Sequence, residues 1–151
     1  MSWTIYDALR ESHKKQRSLC RKMLRAKPAD PRRFELFKAL KIELQAHAAA
    51  EERFLYAPML MEDMGLDPSR HAMSEHHEID ECIEDLEKLA PEGQAWDSAA
   101  RKLSELVHHH LREEEKKFFQ ISGKILTETQ KVRLANRYQK DYVRMQQVLA
   151  S

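Results

Sequence analysis

The sequence predicts an all-α protein: an up-down-up-down antiparallel four-helix bundle with an additional C-terminal helix. Two observations carry this. Apolar residues recur at three- and four-residue spacing through long segments, and the three glycines and five prolines fall mostly between those segments. No segment alternates apolar and polar as a half-buried strand would. Four long helices joined by short connections pack as antiparallel neighbours.

The elements follow in order. Thr4, with Asp7 three residues later, opens a first helix that runs to about Ala26. "KPADP" then breaks the chain, with Asp30 as N-cap and Pro31 at the first position of a second helix. That helix is expected to reach about Ala57, where Pro58 kinks or ends it. A third helix is expected from about Pro68 to Leu89, ended by "PEG" at 91–93, and a fourth over about 95–122, stopped at Gly123. Thr127 with Gln130 forms a capping box for a fifth helix at about 128–149, packed on the bundle or mediating a dimer.

Composition narrows the function. The 151 residues carry 26 Lys+Arg against 25 Asp+Glu, so no net field draws nucleic acid or an anionic membrane. No apolar run approaches the roughly 20 residues of a membrane span, and the N-terminus has no signal-peptide pattern. The expectation is one cytoplasmic domain over residues 1–151, monomeric or a homodimer. Cys20 and Cys82 make neither a disulfide framework nor a CxxC pair. The excess to follow is eight histidines.

Helical phase sorts them. The inward stripe of the first helix reads Leu9, His13, Gln16, Cys20, Met23; that of the second, Leu40, Leu44, His47, Glu51, Leu55. In the third, His76 joins Met73, Ile79, Ile83 and Leu86, and in the fourth His110 and Glu114 join Leu103, Val107, Phe118 and Ile121. His71, His77, His108 and His109 are expected at the surface. His13 and His76 lie 63 positions apart, as do His47 and His110, and Glu51 and Glu114. "HAAAEERFLY" (47–56) and "HLREEEKKFF" (110–119) are thus two copies of one HxxxE element. Each helical hairpin contributes a His from its first helix and HxxxE from its second.

Four inward imidazoles and two inward carboxylates are costly to bury without a partner, and metal coordination satisfies them together. The donor set suits iron, zinc or manganese. Six ligands are too many for one zinc but fit two metals bridged by Glu51 and Glu114. A ferritin-like bundle would need Glu-x-x-His elements. The residues three before the inward histidines of the second, third and fourth helices are Leu44, Met73 and Val107, and Glu105–His108 lies on the outer face. Tyr6 and Tyr56 are expected near the site.

With "SHKKQ", "HAAAEERFLY", "EHHEID" and "HLREEEKKFF" in that order, residues 5–122 resemble a hemerythrin-like (HHE cation-binding) domain. The resemblance implies two iron ions with a solvent-derived oxo or hydroxo bridge, held by His13, His47, Glu51, His76, His110 and Glu114. It further implies reaction with dioxygen or a related small oxidant, nitric oxide or peroxide. The functions it suggests are sensing, storing or scavenging; an enzyme disproportionating peroxide or acting as an oxidase; or a metal-stabilised bundle that binds a protein partner. Two departures from oxygen-carrying hemerythrins bear on carriage: Asp80 stands where those proteins have a further His, and the fourth helix carries HxxxE in place of HxxxxD.

Overall fold

Thr4 and Asp7 bond reciprocally through side chain and backbone, closing the expected capping box at the start of α1 (Ile5–Arg25). The computed structural model describes residues 2–151 and is helical almost throughout, with no strand among the described residues. Asp30 accepts from the Arg32 backbone N–H and Pro31 opens α2 (Pro31–Glu51). The chain then makes a π-helical turn over Glu52–Tyr56 and continues as α3 (Ala57–Leu60). Pro58 therefore does not end the helix near Ala57. It lies in the first turn after the π segment, where its missing N–H costs least.

α4 spans Asp63–Glu87, so it starts before the expected Pro68, which lies inside it. Gly65 explains the early start. A Cβ there would overlap the Met59 carbonyl, so only glycine lets the first turn of α4 close against α3. α5 (Gln94–Glu113) leads through a second π-helical turn, Glu114–Phe118, into α6 (Phe119–Ile125). The helical path thus runs through Gly123 rather than stopping there. Gly123 keeps helical geometry and nothing crowds its α-carbon, so it costs only the intrinsic ~1 kcal/mol of a helical glycine. The path ends at Leu126, and Thr127 with Gln130 caps α7 (Glu128–Ala150).

α1 packs on α2 and α5, and α4 packs on α5, giving the four-helix bundle. α7 lies along α1 and α2, burying Leu134, Ala135, Tyr138 and Tyr142. The apolar interior is in two parts. One contains Ile5, Leu9, Leu55, Met59, Phe118, Phe119 and Leu134; the other contains Met23, Phe37, Leu40, Ile83, Trp96, Leu103 and Val107. Between them, along every helix of the bundle, lies a buried polar layer: His13, His47, Glu51, His76, His110 and Glu114. No helix of the described residues is long and apolar enough to cross a membrane.

Candidate metal centre

Each of the four helices of the bundle delivers its part of the layer by phase. His13 comes from α1, His47 and Glu51 from the end of α2, His76 from α4, and His110 from the end of α5 with Glu114 opening the turn that follows. All six are at most 6% exposed, so whatever satisfies them must be inside the bundle. Their donor atoms fall into two overlapping groups, within each of which the atoms lie within 4.8 Å of one another: His13, His47, Glu51 and Glu114, and Glu51, His76 and His110. Glu51 belongs to both. His47 Nε2 lies 3.2 Å from Glu51 Oε1 and His76 Nε2 3.3 Å from the same oxygen. His13 Nε2 lies 3.1 Å from Glu114 Oε1, and His110 Nε2 3.8 Å from Glu114 Oε2.

The opposite nitrogen of every ring is taken. His13 Nδ1 meets Glu115 at 2.7 Å, His76 Nδ1 meets Glu52 at 2.8 Å, and His110 Nδ1 meets Glu75 at 2.8 Å. His47 Nδ1 meets the Tyr138 hydroxyl at 2.8 Å, which is also paired with Ser12 at 2.6 Å. A ring that donates Nδ1–H to a carboxylate presents Nε2 as a bare lone pair. This is the arrangement that orients imidazole toward a metal.

The inner atoms show what such a centre lacks within the protein. His13 Nε2, His47 Nε2, both Glu51 oxygens and Glu114 Oε1 are buried with no hydrogen-bond partner. His76 Nε2 and His110 Nε2 face each other at 3.1 Å. With both Nδ1 atoms donating outward, two lone pairs meet there, and a proton or a cation has to lie between them. Buried polar atoms are normally paired, so the donors fit a resident cation.

The electrostatics agree. Burial lowers the His13 imidazole, but Glu114 and Glu115 outweigh it and lift it to about 9. His76 behaves likewise: against burial, Glu51 and Glu52 lift it to about 10. Burial raises the Glu51 carboxyl, yet His47 and His76 pull it well below its ordinary value. The layer demands positive charge, which protons supply when metal does not. Tyr56 is buried and donates to Glu114; burial, then the Glu114 and Glu51 charges, hold its hydroxyl protonated.

Of the other residues singled out in the sequence, Tyr6 pairs with Ser122 and packs on Phe119, which in turn stacks on His13. His71, His77 and His109 are exposed, whereas His108 is partly buried and its Nδ1 donates to the Ser104 carbonyl at 2.8 Å. Cys20 and Cys82 are free and buried, and burial pushes the Cys20 thiol up to about 11. Asp80 is half-buried beside a void of about 10 Å³, lined also by His47, His76 and His110. Phase did not reveal Glu52, Glu75, Glu115 or Tyr138. Glu52 and Glu115 carried a signal, since they too are 63 positions apart, directly after the two inward glutamates.

Comparison with known proteins bears on this geometry. The family model described as hemerythrin HHE cation binding domain matches residues 4–121. A DNA nickase of Nostoc sp. (strain PCC 7120 / SAG 25.82 / UTEX 2576) is 27% identical over 146 residues, which are 96% of this chain and 41% of that protein. This chain therefore spans less than half the length of that relative. The crystal structure of a hemerythrin HHE cation-binding domain-containing protein from Mycobacterium kansasii superposes with a TM-score of 0.86 at 21% identity, over 97% of this chain and 89% of that one.

Proposed function

Because the chain belongs to the hemerythrin HHE cation-binding family, we propose that it holds two iron ions on His13, His47, His76, His110, Glu51 and Glu114. In this reading it uses them to bind or sense dioxygen or a related small oxidant such as nitric oxide or peroxide. The observation that carries the reading is the pair of overlapping donor groups that share Glu51. Zinc or manganese suits the same donors, but zinc has no redox chemistry to offer such oxidants, and of the redox-active pair, iron and manganese, iron is the ion proposed.

The chain's own residues do the rest. Glu115, Glu52, Glu75 and Tyr138 hold the four rings with Nε2 inward. The two apolar regions flanking the layer keep bulk water away. Tyr56 stays protonated and steadies Glu114. The void beside Asp80 has room for about one water-sized molecule next to three of the imidazoles, the size of a small diatomic or solvent-derived ligand. Asp80, whose carboxyl burial pushes up, places an oxygen rather than an imidazole at that void. This favours a sensor or redox role over oxygen carriage. The match to the Nostoc DNA nickase covers 41% of that protein, too little to carry its activity to this chain.

The test is anaerobic loading with ferrous iron, followed by separate mixing with dioxygen, nitric oxide and peroxide while the optical spectrum is recorded. A spectral change with at least one of them, absent from His110→Ala protein, is expected. Loaded protein inert to all three would refute the proposal.

A further inference from the structure

We propose a second cation site, on the outer surface of the bundle, formed by His71 and Glu75 of α4 with Glu113 of α5 and flanked by His109, for one divalent first-row transition ion such as zinc. Both helices present the same pattern as the inner layer, a His four residues before a Glu, so each pair lies on one helical face. Here the two pairs face each other across the α4–α5 contact, one face outward from the buried layer.

The distances bring His71, Glu75 and Glu113 to a common centre, with His109 beside it. His71 Nε2 lies 3.0 Å from Glu113 Oε1 and 3.5 Å from Glu75 Oε2. His109 Nε2 lies 2.9 Å from Glu113 Oε2 and 3.4 Å from Glu75 Oε2. A tetrahedral ion with ligands at about 2.0–2.1 Å separates them by about 3.3 Å; His71, Glu75 and Glu113 offer donor atoms that all lie within 4.8 Å of one another, close enough to converge on one ion, while His109 pairs with the same two carboxylates. One imidazole and two carboxylates, with water completing the shell, also make a nitrogen and oxygen set that such an ion takes.

An ordinary surface pair looks different on the same helix. His77 meets Glu81 alone, at 3.1 Å, with side chains 74% and 62% exposed. At the proposed site each carboxylate meets both imidazoles, and the carboxylates are held at 12% (Glu75) and 24% (Glu113) exposure while the rings stay more than half exposed. The acids are fixed and the imidazoles remain open to solution, which allows an ion to enter.

The site also has a route inward. A cavity of about 260 Å³ is lined by His71, Glu75 and Glu113 at its outer part and touches His110, Glu114 and Phe118. Glu75 belongs to both ends: one oxygen faces His71 and His109, the other accepts from His110 Nδ1. The outer site therefore sits at the mouth of the cavity that leads to the buried donors. Its existence does not depend on which metal the buried layer holds.

Zinc itself is the probe, in equilibrium dialysis of the full chain followed by elemental analysis. Wild type should retain one zinc per chain more than His71→Ala/His109→Ala, while His77→Ala should match wild type. A His13→Ala/His47→Ala background, verified as folded by circular dichroism, should show the same difference of one when the outer pair is removed. Failure of the buried layer to load thus leaves the outer count readable. Cobalt(II) added in place of zinc should give tetrahedral visible bands that vanish with the outer pair. Equal zinc in wild type and His71→Ala/His109→Ala, or a matching loss in His77→Ala, would overturn the proposal and leave these residues as protonated surface pairs.

Discussion

About 100° of helical rotation separates His109 from His110, and that rotation decides which histidine of the 108–110 run lies in the buried layer. His110 is 3% exposed, whereas His109 has a side chain 59% exposed. The expected consequence is that His110→Ala loses tightly bound iron while keeping its helical circular dichroism, and His108→Ala keeps its iron; elemental analysis of reconstituted variants reads both. The residues that aim the rings are a second level of the same argument. Tyr138→Phe removes the one hydroxyl on His47 Nδ1, and losing such a partner typically weakens metal affinity about 10–100-fold. Competition with a chelator of known affinity measures it, and unchanged affinity would remove Tyr138 from the account. Protons provide the third test at this scale. His13 and His76, lifted to about 9 and about 10 without metal, stabilise the metal-free fold below about pH 6.5, and that stabilisation fades as pH rises through 9–10. A cation must displace those protons, so its binding weakens as pH falls. The gain in Tm on metal loading should therefore grow from pH 6 to pH 9 in thermal melts, and a gain independent of pH would show that no proton is exchanged. Phase and the 63-residue spacing made the six inward residues legible in the sequence. Glu75 and Tyr138 were not, because each reaches its ring from another helix, and only the packing of α4 on α5 and of α7 on α2 brings them there.

The elements show where local rules were enough and where packing overrode them. Thr4, Asp30 and Thr127 cap their helices as their side chains dictate, since a cap is a contact within three residues. Pro58 and Gly123 read as helix ends and Pro68 as a helix start, yet the helical path continues through all three. Gly65 is the clearest case. Replacing a helical glycine by alanine gains about 1 kcal/mol in propensity, yet Gly65→Ala would push a methyl into the Met59 carbonyl. A net loss of about 1–3 kcal/mol is expected from overpacking, read as a lower urea midpoint; a more stable variant would mean that α3 and α4 can separate freely. The two π-helical turns were equally invisible. Each begins at or directly after an inward glutamate, Glu52–Tyr56 after Glu51 and Glu114–Phe118 at Glu114 itself. Such turns are frequent at functional sites, and here the extra residue lets both Leu55 and Tyr56, and both Phe118 and Phe119, turn inward.

At the scale of the molecule the site has near two-fold symmetry, and the chain breaks it in informative places. Hairpin one sends Glu52 to His76 of hairpin two, and hairpin two returns Glu115 to His13. The remaining rings differ, His47 being held by Tyr138 and His110 by Glu75. Tyr56 donates to Glu114, whereas its counterpart 63 positions on is Phe119, which cannot donate. Asp80 is on one side only, beside His76. Two similar half-sites joined by Glu51, with one side distinguished by Asp80 and Tyr56, are what a paired metal centre with a preferred ligand face would need. The fold class was legible because amphipathic periodicity is set by burial; the asymmetry was not, because it depends on which side chain from a neighbouring helix meets each ring. Whether the buried layer holds a bridged pair is decided most directly by anaerobic iron titration with elemental analysis, comparing wild type with Glu51→Ala. The expected result is close to two irons per chain in wild type and a clear deficit when Glu51, common to both donor groups, is removed; wild type saturating at one tightly bound iron would contradict it.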